Sequence, residues 1–152
     1  MPTNNRQYTS NRQSIVNALT EKIAEINGTG EYLSNLYGNV EPRLKFWDEI
    51  SDYPSVHLTA GNETREYLAA GIKNRFLAVT IRIYIEEEDA VEGLERIIQD
   101  IETVVEDNSV LKYTNPQGAE KCTQQISIIN IDCDEGALEP KGIGEILLEV
   151  RY

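Results

Sequence analysis

The segment from Ile131 to Gly142 (IDCDEGALEPKG) has the composition of a cation-binding loop, with three acidic residues in four positions followed by a glycine. An EF-hand loop needs oxygen ligands at positions 1, 3 and 5, a glycine at position 6 and a glutamate at position 12. Counted from Asp132, position 5 is Gly136, position 6 is Ala137 and position 12 is Ile143. Because the spacing fails at these positions, we interpret the segment as a structural loop and expect no metal there.

Other residues that could support catalysis are isolated from one another along the chain. His57 is the only histidine, no GxSxG nucleophile motif accompanies it, and its place in a short alternating stretch predicts a half-exposed strand residue. The glycines at 28 and 30 follow a helical pattern, whereas a phosphate-binding loop precedes a helix. We therefore expect neither an enzyme nor a cofactor.

The two cysteines, Cys122 and Cys133, are not spaced as a CxxC pair. A chain of this size does not need disulfides to build a core, so reduced thiols are expected. Cys133 alternates with Ile129 and Ile131, which predicts that its side chain is buried.

Size and charge narrow the class of protein. The chain has 152 residues, of which 40% are hydrophobic, so we expect one domain over residues 1–152 with a flexible start over residues 1–10. No apolar run reaches the roughly 20 residues of a membrane span, and no signal region opens the chain. A net charge of -12 opposes nucleic-acid binding, which needs clustered Lys and Arg. It fits a solvated acidic surface, or one that lets DNA pass without holding it.

Two amphipathic helices are predicted from apolar residues at helical spacing. The first begins with Ser10 or Asn11 as its cap, and the second begins at Asp89, with Glu92 completing a capping-box-like start, and runs to about Asp107. Their apolar stripes are Ile15, Val16, Leu19, Ile23 and Ile26 in the first helix, and Val91, Leu94, Ile97, Ile98, Ile101, Val104 and Val105 in the second.

Period-two alternation predicts four strands, at residues 55–61, 75–85, 125–133 and 145–152. In the second of them, odd-numbered residues from Leu77 to Ile85 form an aliphatic face, and even-numbered residues from Phe76 to Tyr84 form a mixed one that another subunit could cover. We therefore expect an α+β fold with two helices on one face of a mainly antiparallel four-stranded sheet.

Two segments do not fit this framework. Residues 31–54 lack periodicity but hold an unusual share of the aromatic residues, so they are either a satellite cluster under a loop or an interface. Residues 62–74 separate two strands that a tight turn could have joined, which predicts an arm or long hairpin.

Four stretches resemble the tail terminator proteins of long, non-contractile bacteriophage tails: EYLSNLYGNV (31–40), VHLTAGNETREYL (56–68), LERIIQDIETVVED (94–107) and DEGALEPKGIGEILLEVRY (134–152). They are most similar to terminators of large flexible-tailed phages that infect enterobacteria. The resemblance implies a homohexameric ring on the head-proximal end of the tail tube in the virion, assembled in the host cytoplasm. Such a ring stops polymerisation of the tail tube protein, joins the head through head-completion or neck proteins, and lets DNA pass through its lumen.

Within that family no catalytic or cofactor residues are implied, so the candidate site is a set of contact residues. We expect contacts with neighbouring subunits or with the tube from Glu66, Tyr67 and Leu68 of the arm, Tyr37 and Trp47 of the aromatic segment, and Asp134 and Glu135 of the loop. Two alternatives remain open: a neck adaptor or head-completion protein, and a small acidic metal-binding module.

Overall fold

The computed structural model describes residues 7–152, so part of the expected flexible start, residues 1–6, lies outside the described residues. The fold is α+β, as predicted. Its elements in chain order are α1 (Asn11–Ile23), β1 (Val40–Glu41), β2 (Ser55–Tyr67), β3 (Lys73–Glu86), α2 (Ala90–Asp107), β4 (Lys112–Thr114), β5 (Glu120–Cys122), β6 (Gln125–Cys133) and β7 (Lys141–Arg151).

Both helices begin at the caps that the sequence predicts. The Ser10 hydroxyl accepts a hydrogen bond from the backbone N–H of Gln13, and the Asp89 carboxylate accepts one from the N–H of Glu92. These bonds satisfy N–H groups that have no partner within the first turn. Over residues 7–152, neither helix is long and apolar enough to cross a membrane.

One mixed sheet has five strands in the order β1-β2-β3-β7-β6, not the four that the sequence predicts. The additional strand is β1, whose two residues pair in parallel with Val56 and His57, while the other pairs are antiparallel. β4 and β5 form a separate two-stranded hairpin. Strands of two or three residues are too short to show alternation, which is why β1, β4 and β5 escape sequence analysis.

The core lies between the helices and the aliphatic face of the sheet, as predicted. The odd-numbered residues of β3 from Leu77 to Ile85 are at most 2% exposed, and both helix stripes contribute to the same cluster. Val91 is the exception: it is 43% exposed in the first turn of α2, so its place in the predicted stripe is wrong. In β7, Ile146, Leu148 and Val150 are fully buried beside β3. Burial of this aliphatic surface is the main source of stability for the fold.

The opposite face of the sheet is covered at one end by the chain itself. The Tyr84 hydroxyl donates to the carbonyl of Lys45, and His57 Nδ1 lies 3.1 Å from the carbonyl of Arg43. The prediction of a half-exposed His57 is therefore wrong, because its side chain is completely buried. Ser55 Oγ lies 2.6 Å from His57 Nε2, so both ring nitrogens have partners. Burial lowers the pKa of His57.

β6 is an edge strand of the sheet, and Cys133 is its last residue. Cys133 pairs with Gly144 there and is exposed, so the prediction that it is buried is wrong. Alternation assigns a residue to one face of a strand, but burial also requires an element that covers that face. Cys122 is exposed as well, and both thiols are free.

Candidate assembly surfaces

A hairpin arm, residues 62–74, extends beyond the rest of the sheet. β2 and β3 pair with each other out to Tyr67 and Lys73, whereas β7 accompanies β3 only as far as Phe76. The predicted arm is thus a two-stranded extension of the sheet. Its cross-strand hydrogen bonds hold its shape without a covering element.

The tip of the arm exposes large apolar side chains. Tyr67 is 71% exposed, Leu68 46% and Ile72 58%. The tip is closed by a short turn in which the Leu68 N–H donates to the Ile72 carbonyl at 2.7 Å. Glu66 is exposed beside them and accepts a long, 3.5 Å hydrogen bond from Asn74. The large exposed apolar side chains of the arm are thus grouped at its tip.

Polar and aromatic contacts fasten the root of the arm to the body. The hydroxyl of Tyr152 and the guanidinium of Arg65 both donate to the carboxylate of Glu63. Burial opposes ionisation of Glu63, but these two donors outweigh it, and the pKa of Glu63 is lowered. Burial and the bond to Glu63 together raise the pKa of Tyr152 to about 12. The Arg75 guanidinium lies 4.2 Å from the centre of the Tyr152 ring.

The aromatic segment is held in place by one buried carboxylate. Asp100, on the inner side of α2, is 1% exposed. Its oxygens accept hydrogen bonds from the backbone N–H groups of Leu33 and Ser34, at 2.9 and 2.7 Å, and from the Ser34 hydroxyl. Sequence analysis missed this residue, although an aspartate within the apolar stripe of a predicted helix is a signal that could have identified it.

Three aromatic side chains of this segment point outward, whereas Leu36 is buried in the core and Tyr32 packs against it. Tyr37 is 78% exposed, Phe46 69% and Trp47 51%. The ammonium of Lys141, at the start of β7, lies 4.9 Å from the centre of a Trp47 ring. This contact places Trp47 beside the loop that precedes β7.

That loop, residues 134–140, turns the chain between β6 and β7. The carboxylate of Asp134 accepts hydrogen bonds from the backbone N–H groups of Leu138, at 3.2 Å, and Ile143, at 3.4 Å. Asp134 thus stabilises the turn, while Glu135 is exposed at its outer side. Within residues 7–152, no three His, Cys, Asp or Glu side chains are grouped so as to hold a metal ion.

Backbone conformation is unusual in each of the three predicted contact segments. The non-glycine residues with positive φ in residues 7–152 are Tyr37 (52°), Ala70 (62°) and Glu135 (56°). Each is followed by a glycine that also has positive φ, a pattern typical of tight type I′ turns. Left-handed conformations at non-glycine residues cost about 1 kcal/mol or more and concentrate at functional sites.

The structure divides the seven predicted contact residues between two ends of the sheet. Glu66, Tyr67 and Leu68 lie at the arm end, beyond the last residues of β7. The other four, Tyr37, Trp47, Asp134 and Glu135, lie at the opposite end, where β3 ends and β7 begins. The opposite end is acidic at residues 86–89 (EEED), whereas the arm has two basic and two acidic residues.

A further surface, the open face, includes part of the mixed face of β3 that, from the sequence, another subunit could cover. It is the part of the sheet turned away from the helices that residues 43–47 leave uncovered, and it holds a groove of about 400 Å³. Apolar side chains of β3, β6 and β7 line it, including Phe76, Ala78, Ile129 and Leu147. In the sequence, Leu147 stands between Glu145 and Glu149 on one face of β7, and an apolar residue that interrupts a polar face indicates an apolar site there.

Comparison with known proteins agrees with the sequence resemblance. Residues 9–152 match the family described as Bacteriophage Tail Tube Terminator Protein. The chain is 37% identical over 150 residues to the tail tube terminator protein p142 of Escherichia phage T5, covering 93% of this chain and 92% of that protein. A solved structure titled "Virion of native gene transfer agent (GTA) particle" superposes with a TM-score of 0.49 at 10% identity, over 91% of this chain and 96% of that chain.

The family match covers nearly all of the described residues, and the relative from phage T5 aligns over almost its whole length. At 37% identity over that length, the two chains share their fold and their family. The chain described here belongs to the tail tube terminator proteins of bacteriophages, which are structural components of the virion tail.

Proposed function

We propose that six copies of this chain, each a single domain, form a ring that caps the head-proximal end of the phage tail tube. The ring stops further addition of tail tube protein and offers the surface to which head-completion or neck proteins bind. The relative in phage T5 is named for terminating the tail tube, and 37% identity over 93% of this chain supports the transfer of that role. In this proposal the chain performs no catalysis.

The observation that carries the proposal is the placement of exposed apolar residues at two opposite ends of one sheet. A protein that ends a polymer must bind the last subunit through one surface and present a different surface outward. The arm tip, with Tyr67 and Leu68, and the opposite end, with Tyr37 and Trp47, differ in shape and in charge. Contacts between unlike surfaces are heterologous, and heterologous contacts close into rings when their rotation allows it.

The predicted contact residues divide accordingly. Glu66, Tyr67 and Leu68 contribute from the arm, and Tyr37, Trp47, Asp134 and Glu135 contribute from the opposite end, to contacts with neighbouring copies, tail tube protein or neck proteins. Six of these seven side chains are exposed, all except the partly buried Asp134, and this exposure together with the positive φ at Tyr37, Ala70 and Glu135 supports the assignment.

The acidic character of the chain suits a ring through which DNA travels. With a net charge of -12, the protein repels the phosphate backbone, and DNA passes the lumen without specific binding. Assembly takes place in the host cytoplasm before the tail joins the head.

The test is the length of tails made without the protein. Electron microscopy of a phage that lacks this chain is expected to show tails of uncontrolled length that do not join heads, and supplying the protein in trans should restore both properties. Purified protein should bind the tips of isolated tail tubes. Tails of normal length in the deletion phage would contradict the proposal, and binding to filled heads in preference to tubes would identify a neck adaptor instead.

A further inference from the structure

The groove on the open face has an apolar lining that suits the binding of an apolar segment. Its lining includes Phe76, Ala78, Ile129 and Leu147, together with Thr64 and Glu149. Ile129 lies where the pairing of β6 with β7 shifts register and is 54% exposed. A bulge at the edge of a sheet locally disrupts its ladder and re-aims side chains. Here it places a large aliphatic side chain beside the groove.

We propose that this groove receives the tip of the arm of a neighbouring copy of the chain. The proposal rests on the ring proposed above and names the two surfaces that join one subunit to the next. Tyr67, Leu68 and Ile72 at the tip are each at least 46% exposed and have no cover among the described residues. A groove of about 400 Å³ has room for more than one aliphatic side chain.

The arm is built to present its tip without rearrangement. Its two strands remain paired as far as Tyr67 and Lys73, and the Leu68 N–H bond to the Ile72 carbonyl closes the turn. Ala70 and Gly71, both with positive φ, make that turn compact. A segment that is already ordered in its binding conformation loses little conformational entropy when it docks, which favours association.

The occupant of the groove must come from another molecule. Thr64 and Phe76 pair at the level of the groove, and Tyr67 and Lys73 pair three residues further out. At about 3.3 Å per residue the tip is therefore about 10 Å beyond its own groove, and the strand ladder keeps it from folding back. Since the tip and the groove are different surfaces, docking of one onto the other is heterologous and can repeat from copy to copy around a ring.

The charges of the arm and of the groove favour a second copy of this chain as the molecule that occupies the groove. Lys73, at the end of the arm, has no carboxylate within 4.0 Å among residues 7–152, and Glu149, at the groove, has no cation within that distance among them. Docking the tip in the groove brings these complementary charges together. The arm itself is neutral, with two basic and two acidic residues, on a chain of net charge -12, so its approach to another copy carries little repulsion.

Cross-linking between two differently labelled chains tests the contact directly. In a background with Cys122→Ser and Cys133→Ser, one chain carries Leu68→Cys and the other carries Ile129→Cys. Rings assembled on tail tubes from an equal mixture are treated with a short bismaleimide. We expect a cross-linked dimer in the mixture and none in rings of either chain alone. A matched mixture of Leu68→Cys with Val110→Cys, which places the thiol at an exposed site away from the groove, should give no dimer.

Charge reversal gives an independent readout. Lys73→Glu and Glu149→Lys should each weaken ring assembly, because every contact in a uniform ring then pairs like charges. An equal mixture of the two variants should recover assembly, because an alternating ring restores an opposite-charge pair at every contact. Recovery in the mixture supports the proposal, and equal weakness of the mixture and the single variants overturns it.

The outcomes separate this inference from the proposed function. If the unmodified protein forms no ring and caps no tubes, the proposed function fails and the inference fails with it. If rings form and cap tubes but the mixed chains do not cross-link, only the inference fails. A cross-link from Leu68→Cys to tail tube protein would also overturn it, because the arm would then be a tube contact.

Discussion

The arm and the aromatic segment both expose large apolar side chains, but they are held by different kinds of interaction. The arm is a strand ladder, in which each residue from Glu63 to Tyr67 has a partner on the other strand. The aromatic segment, residues 31–54, has regular strand pairing only at β1. It otherwise depends on isolated backbone hydrogen bonds and on single side chains within the segment and in α2. Two apolar surfaces of similar character therefore rest on different supports.

Single side chains replace the ladder in the aromatic segment. Asp100 holds Leu33 and Ser34 through their backbone N–H groups, and Asn39 donates to the carbonyls of Asp52 and Pro54, at 3.1 and 2.9 Å. When many equivalent hydrogen bonds hold a structure, the loss of one is tolerated. When a single carboxylate satisfies several buried donors, its removal leaves all of them without a partner. The aromatic end should thus be the more fragile of the two.

The largest effect is expected from disrupting the hydrophobic core, which supports both ends of the sheet. Ile81 is fully buried in the core, so Ile81→Asp places an unpaired carboxylate where it costs several kcal/mol, comparable with the ~5 to 15 kcal/mol that stabilise a whole domain. We expect no cooperative thermal unfolding by circular dichroism, and the same for Ile98→Asp. Thr80→Asp, one residue away on the open face, is the matched control and should unfold cooperatively. A folded Ile81→Asp variant would show that the two ends do not depend on a common core.

The next effect should be confined to the aromatic end. Asp100→Ala leaves the N–H groups of Leu33 and Ser34 without their acceptor, which is expected to lower the free energy of unfolding by about 3 kcal/mol. Urea denaturation measures the loss, and limited proteolysis should show cleavage within residues 31–54 before the arm. Asp107→Ala, at an exposed carboxylate on the same helix, is the control and should change little. Cleavage of the arm first would reverse the comparison.

Acidification should loosen the aromatic end before the arm. Because burial lowers the pKa of His57 below its usual 6.5, the neutral ring stabilises the folded state above that pH, and the contribution is lost as the pH falls through the lowered pKa. The pKa of Glu63 is lowered from 4.5, so the arm root weakens only in more acidic solution. The melting temperature should therefore begin to fall as the pH drops below about 6.5.

His57→Gln is the control for that titration, because glutamine retains polar groups but does not ionise. In this variant the melting temperature should change less over the same pH range than in the unmodified protein. The charges of Glu41, Lys45 and Arg82 also act on His57, and His57→Gln leaves all three in place, so a difference between the two profiles belongs to the His57 ring. Identical pH profiles for the two proteins would exclude His57 as the cause.

The smallest effect on stability should accompany a large effect on assembly. Tyr67→Ser with Leu68→Ser changes two exposed residues and is expected to alter the free energy of unfolding by no more than about 0.5 kcal/mol. Capping of tail tubes should weaken by about tenfold or more, because exposed aromatic and aliphatic anchors dominate interface energy. Val110→Ser, at a side chain that is 65% exposed and lies outside the arm, is the control. Unchanged capping by the double variant would make the aromatic segment the next candidate.

Local spacing along the chain determined most of the framework. Alternation from Leu77 to Ile85 predicted the core face of β3, and the caps at Ser10 and Asp89 predicted where both helices begin. These features depend on the geometry of single elements, in which side chains repeat with a period of two or 3.6 residues. The long hairpin was predicted for the same reason, because residues 62–74 separate two alternating strands that a tight turn could have joined.

Tertiary structure alone decided which residues are covered and which surfaces meet. Residues 43–47 fold over one end of the second sheet face and bury His57, while no element covers Cys133 at the end of β6. Tyr37 lies near the last residues of β3, and Ile129 lies beside Leu147 in the groove. Both arrangements depend on segments that are distant in the chain and become neighbours in the fold. Periodicity specifies the direction of a side chain, but burial depends on what packs there, and that is a property of the whole fold.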